Sequence, residues 1–569
     1  MKTIIAKSTA MLIATALCAT AQAQMNNVVE VETTIKPTVN DANKINVLPQ
    51  TQQQQVKHYS VTYDNTSIPA QNYTYQAMPA AESSTQNEGE PRGFATFAGG
   101  NNGAINARAA YGLKLTQQDL LSFDASLRGH NANVHYAADD NQRWKSRYYT
   151  TRGSIDYEHL FTPLTSLLLH AGAESQVFNY TPEDPTGRIS FPTDKQHNTL
   201  FDFSAALTPL RTGKFTISAG ADAKWFGQKY VSNDFFSNEK AQETQVGANI
   251  SAEYQFVNDQ FVGIDADVRN ITYSFDGFKN LFSANIAPHY DIRRDQLRLR
   301  LGAVLSFLGG FESEFKAAPS AALTYAFSPK VDFYAEAGGG VVLNDFRHFA
   351  QLTPYWRHST YPHIFSSDAS ADETAQLPHQ FDQLRAIAGL KWNIATGLYT
   401  HLRGGYIMSH DRAEMLYDGR LLTADGTQFF AAGDVNYRLR EIFQLDVHAQ
   451  WNSWSSDAPG DLEYNATFFR PIFNLDAKAT LRPIRPLAIS IDYLLNTYDQ
   501  DDDLLYRRPF THNLGASISY QLPQTILPLR RSRASIYLRA DNLLNKHYDL
   551  HPFITTPGTT ILGGLAVTF

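Results

Sequence analysis

Alternation constrains this chain more than any other feature of it. Phe473, Leu475, Ala477, Ala479 and Leu481 interleave with Asn474, Asp476, Lys478, Thr480 and Arg482. Leu121, Phe123, Ala125 and Leu127 interleave with Ser122, Asp124, Ser126 and Arg128. Leu297, Leu299 and Leu301 bracket Arg298 and Arg300. Successive side chains of a strand point to opposite faces, so each run makes a strand with one apolar and one ionic face. Counted from Arg92, about 22 such runs follow with no helical segment between them.

A soluble sandwich has the same period, so the polar face alone does not decide the architecture. The connections do. One set is short, as at Gln117-Gln118-Asp119, Thr162-Pro163-Leu164, Val257-Asn258-Asp259, Arg293-Arg294-Asp295, Ser328-Pro329-Lys330 and Ala395-Thr396-Gly397. The alternate set includes the long segments 181–196, 229–241, 343–380 and 411–425. Short turns at one end and long loops at the other mark an outer-membrane barrel. Three outside connections, near Gly277, Gly309 and Gly460, read as short exceptions. The chain ends on an apolar strand, Ile561 to Phe569, closing on an aromatic residue. It begins with Lys2 and Lys7, a short apolar run from Ala10 to Leu17 and Ala21-Gln22-Ala23, the pattern of an export signal. The only cysteine, Cys18, lies inside that signal, so the exported chain has no disulfide or thiolate site.

The fold class read from these features is all-β: a transmembrane antiparallel β-barrel of about 22 strands in the cell outer membrane. The expected organisation is a signal at 1–23, an N-terminal periplasmic or luminal segment at 24–91 and the barrel at 92–569. Aromatic residues make up 12 % of the chain, enough for girdles at both membrane interfaces. Lys+Arg number 48 against 56 Asp+Glu, which argues against nucleic acid as a partner. Lipid and lipopolysaccharide are the partners a barrel surface implies.

The segment Asn542-Leu543-Leu544-Asn545-Lys546-His547-Tyr548 resembles the penultimate-strand motif of TonB-dependent receptors, with Leu544 where phenylalanine is usual. Pro557-Gly558 before the last strand is similar to the family's Pro-Gly-Arg, with Thr559 in place of arginine. The resemblance implies uptake of a solute across the outer membrane, driven by a TonB-type energising protein. The chain departs from that pattern at its start. The family places a folded plug before the barrel, and only 24–91 is available here. That segment holds Gln52 to Gln55 and the polar run Ser83 to Pro91, which bury too little apolar surface to offset chain entropy. A plugless or plug-reduced relative is the expectation. The alternative is a non-transporting envelope scaffold working with a periplasmic or surface partner.

Several residues are candidates for the chemistry. Val28, Val29, Glu30 and Val31 form a short extended segment like a TonB box, the kind of strand read by edge addition. The connection 343–380 carries Phe346, Phe349, Tyr355, Trp356, Tyr361 and Phe365, with His348, His358, His363 and His379. Such rings stack on sugars or porphyrins; the alternative is a loop packed on itself over the barrel mouth. Asp124, Arg128, Arg298, Arg300, Asp332, Glu336, Asp476, Lys478, Arg482, Asp492 and Arg539 are expected to face the lumen, lining a path or forming a cross-strand ionic lattice. Asp499 and Asp501 to Asp503 cluster without calcium-loop spacing. His130, Asp139 and Asp140 lie near one outer end, but no Gly-x-Ser-x-Gly elbow accompanies them. No enzyme activity, cofactor or resident metal is read from the chain.

Overall fold

Twenty-two antiparallel strands form one closed sheet, each bonded to the next in sequence. The first, Gly93–Gly100, pairs with the last, Thr560–Thr568, from Phe94 opposite Thr568 to Gly100 opposite Leu562. The Phe569 carbonyl locks this seam by accepting from the amides of Arg92 and Gly93 at 2.8 and 2.9 Å. The computed structural model describes residues 92–136, 139–179, 195–231, 239–274, 278–310, 313–353, 355, 378–415, 421–458, 470–498, 510–523, 532–551 and 554–569. The expected export signal at 1–23, the segment 24–91 with Val28 to Val31, and Asp499 to Asp503 lie outside the described residues.

Register turns the sequence alternation into two faces. Residues directly opposite one another share a face, and one such row runs Phe123, Ile155, Ala171, Phe203, Ala223, Val246 across six strands. Phe123, Ile155, Phe203 and Val246 are exposed on the outside of the barrel, where lipid replaces water. Ring pairs mark the two edges of this band. Tyr111 and Phe569, Phe215 and Tyr254, and Tyr325 and Phe327 lie at the short-turn end. Phe201 and Trp225, Phe307 and Phe315, and Phe429 and Trp451 lie toward the other. Phe315 and Phe327 sit on one strand, Glu314–Ser328. At about 3.3 Å per residue and a tilt of about 40°, they stand about 30 Å apart along the membrane normal.

Several strands exceed what a crossing of roughly 9–11 residues needs. Asp139–Thr162 has 24 residues and Glu239–Val257 has 19, and the surplus projects beyond the outer girdle. The connections follow the two-ended rule with exceptions at the outer end, where those from Gly100 to Ile105, Tyr136 to Asp139 and Gly310 to Glu314 are short. The outside connection near Gly460 is long: it joins a strand ending at Ser456 to one starting at Pro471. The connection from Gln521 to Arg533 is long although it lies at the short-turn end.

The resemblance motif closes the sheet at its outer end. Asn542 and Asn545 adopt left-handed backbone with φ of 53° and 48°, a conformation asparagine tolerates. The Asn542 amide donates to the carbonyls of Lys546 and Pro557, and Asn545 Oδ1 accepts from the Thr559 amide. Tyr548 is buried beneath them.

Candidate functional site

The site lies where one strand leaves the wall. Strand Val331–Val342 pairs with strand Glu314–Ser328 only up to Ala337, opposite Ala321. Beyond it the register with the next strand, Gln380–Ala395, shifts between Gly338 and Gly340. Gly340 has φ of +143°, which only glycine adopts readily. A Cβ at Gly339 would lie 2.3 Å from the Asp382 carbonyl oxygen and 2.8 Å from the Ala318 Cβ. A Cβ at Gly340 would lie 3.8 Å from Val304 Cγ1, on the inward face. The two glycines let the backbone pass behind its neighbour and into the barrel. Pro319 marks the edge left behind. Ala326 directs its amide to Gln296 on the far side, so odd-numbered residues of that strand face the departing one. Proline, lacking an N–H, belongs at such an edge.

The segment that turns inward forms a short helix, Phe346–Leu352, held inside the mouth. Asp345 caps it, accepting from the His348 amide at 2.6 Å. Glu243, on the inward face of strand Glu239–Val257, accepts from the Phe346 amide at 2.6 Å. The Gln245 side-chain amide bridges the two carboxylates, at 2.6 Å to Glu243 and 2.7 Å to Asp345. Phe346 and Phe349 pack in one apolar cluster with Phe226, Ala241, Ala413 and Leu421, which come from four different strands. Tyr273 and Phe278 add edge-on and tilted ring contacts to Phe346 at 5.1 and 5.0 Å. Farther along, Tyr355 joins a second cluster with Ala132, Val134, Trp144, Phe178 and Ile554.

The base of the segment is tied polar to polar. The Asn344 backbone amide donates to His379 Nδ1 at 3.1 Å, and its side chain donates to the Pro378 carbonyl at 2.5 Å. His379 therefore accepts through Nδ1 and carries its proton on Nε2. Burial pushes its pKa down to about 4, which keeps it neutral and able to accept. Beside this base, Arg412 and Arg470 both bond to Glu414, at 2.6 and 2.7 Å, and both stack on Trp454. All three charged groups are buried. Burial, then the neighbouring Arg412, lower the Arg470 guanidinium to about 10.

Of the aromatic residues singled out in this connection, Phe346, Phe349 and Tyr355 are buried against the wall, and their rings anchor the segment. Trp356, Tyr361, Phe365, His358 and His363 lie outside the described residues. His348 is buried in the helix. His130 is on the inward face, and the side chains of Asp139 and Asp140 lie outside the described residues. Glu243, Gln245 and Gly339 were not singled out in the sequence. The signals that could have found them are the run Gly338-Gly339-Gly340 and Pro319, both inside strands that otherwise read as regular.

Lower in the barrel the wall is lined with ion pairs. Arg300 bonds Asp291 at 2.8 Å, and Arg293 bonds Asp291 at 2.6 Å and Glu253 at 2.9 Å. His170 bridges Asp156 and Asp202, and Asp434 accepts from Arg403 and contacts His448 at 2.5 Å. Glu253, His289 and Asp291 come close enough to suggest a metal cluster. Arg293 and Arg300 already occupy the carboxylates, so the arrangement is a lattice of charges. Asp124, Arg128, Arg298, Arg300, Asp332, Glu336, Asp476, Lys478, Asp492 and Arg539 all fall on the inward register. Arg482 lies past the last regular pair of its strand, where its amide bonds the Ile442 carbonyl.

No family model matches this chain, and no curated protein matches it in sequence. Solved structures match it in shape. The ferric enterobactin receptor PfeA of Pseudomonas aeruginosa aligns with a TM-score of 0.61 at 12 % identity, over 85 % of this chain and 81 % of the receptor. The copper transporter OprC gives 0.59 at 12 %, over 86 % and 82 %. The FrpB iron transporter of Neisseria meningitidis gives 0.63 at 10 %, over 83 % and 81 %. The barrel has the fold of TonB-dependent receptors. At these identities the likeness is one of fold.

Proposed function

We propose that this protein is an outer-membrane uptake barrel of the TonB-dependent-receptor type, with a mouth kept shut by its own segment 338–355. The observation that carries the reading is the pair of apolar anchorages at Phe346–Phe349 and Tyr355, which fix one segment to separate parts of the wall. A segment held on several sides obstructs the lumen until a solute captured outside releases it. The structural neighbours, a ferric enterobactin receptor, a copper transporter and an iron transporter, are the support for solute uptake as the reaction class. Val28 to Val31 would supply the contact with a TonB-type energising protein by strand addition. The inward charges would set the ionic preference of whatever passes.

Conductance of the purified full chain in planar bilayers tests the proposal. The full chain should stay closed. Replacing 343–379 with a short Gly-Ser linker should yield steady open channels, and a second variant lacking 24–91 reports any contribution from that segment. Open channels in the unaltered chain would overturn the mouth closure. A barrel still sealed after both changes would favour the scaffold reading over transport. Binding of a peptide spanning Val28 to Thr34 to the energising protein's C-terminal domain tests that partner, and no binding removes it.

A further inference from the structure

The longest strand of the wall carries a row of cations on its outside. Strand Asp139–Thr162 pairs with Asp119–Tyr136 well past the outer girdle, up to Arg143 opposite His135. Its two faces are distinct there. Trp144 is buried inside the mouth with Ala132, Val134 and Tyr355. Side chains alternate along the strand, so Arg143, Lys145 and Arg147 point outward. Arg143 and Lys145 are exposed, and Arg147 is half-buried.

The row is held in a fixed shape. The Asn179 side chain accepts from the Arg147 amide at 2.7 Å and donates to the Lys145 carbonyl at 2.8 Å. This supports the strand beyond its last regular pair on that side, Tyr148 opposite Phe178. On the other side Asn131 and Asn133 stand opposite Arg147 and Lys145 and share their outward face. Among the described residues no carboxylate pairs with any of the three cations. The outward residues of the next two strands at this level, Ser175, Val177 and His197, bring no carboxylate either.

The height of the row says what meets it. Tyr149 is the next outward residue below, and its hydroxyl donates to the Gly103 carbonyl at 3.1 Å. Farther down, the same face enters the lipid band at Ile155, which is exposed. At about 3.3 Å per residue and a tilt of about 40°, Arg147, Lys145 and Arg143 stand about 5, 10 and 15 Å above Tyr149. A phospholipid head-group layer is only about 5–8 Å deep. A ladder of this height therefore suits an amphiphile whose anionic groups are spread along a saccharide.

We propose that Arg143, Lys145 and Arg147 form a docking ladder for one phosphorylated glycolipid of the outer leaflet, a lipopolysaccharide. Its phosphates meet the guanidinium forks of Arg147 and Arg143 and the Lys145 ammonium. Its sugar hydroxyls meet the side-chain amides of Asn131 and Asn133, and its acyl chains lie on the outward band below Tyr149. The proposal rests on the outer-membrane placement given above and is independent of what the barrel passes.

Native mass spectrometry of the full chain tests this. The protein is equilibrated in detergent with equal amounts of lipopolysaccharide truncated to its phosphorylated inner core, the same material with its phosphates removed, and phosphatidylglycerol. The phosphorylated glycolipid should be retained over each of the others by about tenfold, a ratio worth about 1.4 kcal/mol shared among three exposed contacts. Replacing the row together, Arg143→Gln, Lys145→Gln and Arg147→Gln, should bring the two glycolipids to parity. Lys214→Gln with Lys330→Gln, which removes exposed cations from two short turns at the other end, should keep the preference. Heat-modifiable migration on gels confirms that each variant is a folded barrel. Equal retention of the two glycolipids by the unaltered chain, equal retention of phosphatidylglycerol, or an unchanged preference in the triple variant overturns the ladder. Density fractionation of cells tests the placement separately: a chain outside the outer-membrane fraction overturns that reading and the proposal with it.

Discussion

The lower wall and the mouth of this barrel use opposite means of holding strands and segments together. The lower wall is regular. Its inward charges pair across neighbouring strands, as Arg300 and Arg293 do with Asp291, and the arginines remain well exposed to the lumen, at 41 % and 39 % of their side-chain surface. Asp291 itself is buried, but its pairs are screened through their exposed arginine ends and it keeps one arginine if the other is removed, so each pair contributes little, about 0–1 kcal/mol. The mouth is irregular. Its polar contacts are buried, Glu243 to 1 % and His379 to 0 %, and they stand beside buried rings. There each lost contact strands a partner out of water. The lower wall therefore tolerates substitution singly, and the mouth does not. A wall that must only stay closed needs many weak ties; a segment that must be held in one place and later released needs a few strong ones.

Four substitutions test that contrast, from largest effect to smallest. Phe346→Ala empties the centre of the cluster under the helix and should weaken closure by about 3–5 kcal/mol. In bilayers this would appear as frequent opening where the unaltered chain is shut. A closed Phe346→Ala channel would show that the rings are not what holds the segment. Gly339→Val places side-chain atoms against the Asp382 carbonyl and Ala318. Overpacking of that kind costs about 1–3 kcal/mol, so the segment should be driven out of its path with the barrel itself intact. Trypsin cleavage after Arg347, now in the helix, would report the release. Glu243→Ala leaves the Phe346 amide and the Gln245 side chain without their acceptor and should cost about 1–3 kcal/mol. The same cleavage assay should rank it below Gly339→Val. Arg300→Ala, in the lower lattice, should change closure and heat resistance by no more than about 1 kcal/mol. An effect as large as that of Glu243→Ala would erase the distinction between the two regions.

The mouth should also respond to acid through His379. Its pKa is about 4 with the segment in place, against 6.5 for the free side chain. The closed state therefore binds the proton less well than the released state. His379's contribution is complete above about pH 6.5 and is lost progressively as pH falls toward 4. Open probability should rise on acidification from pH 7 to 5, by at most about tenfold per unit from this group. His379→Gln, which cannot titrate, should remove that part of the slope. Identical pH profiles for the two proteins would exclude His379 as the cause.

Much of the architecture was legible in the residues. The alternation of Phe473 to Arg482 and of Leu121 to Arg128 carries over directly into outward and inward registers, because a strand has only two faces. The closing strand to Phe569 occupies the seam its position implied. The connection near Gly460 reads as short in the sequence, but the flanking strands end at Ser456 and begin at Pro471. The aromatic residues of 343–380 were legible as important but not as anchors. Nothing in Phe346 or Tyr355 alone says whether a ring meets a ligand or a wall, since both uses reward the same apolar surface.

What the sequence by itself determined is the periodic wall: strand number, facing, and the two aromatic girdles, all set by local side-chain alternation and connection length. Only the tertiary structure decided which segment turns into the lumen. Gly339 and Gly340 permit that turn, but the contacts that hold it come from Phe226, Glu243 and Phe178, on strands far earlier in the chain. Closing the sheet brings them to one mouth, and no local pattern records that meeting.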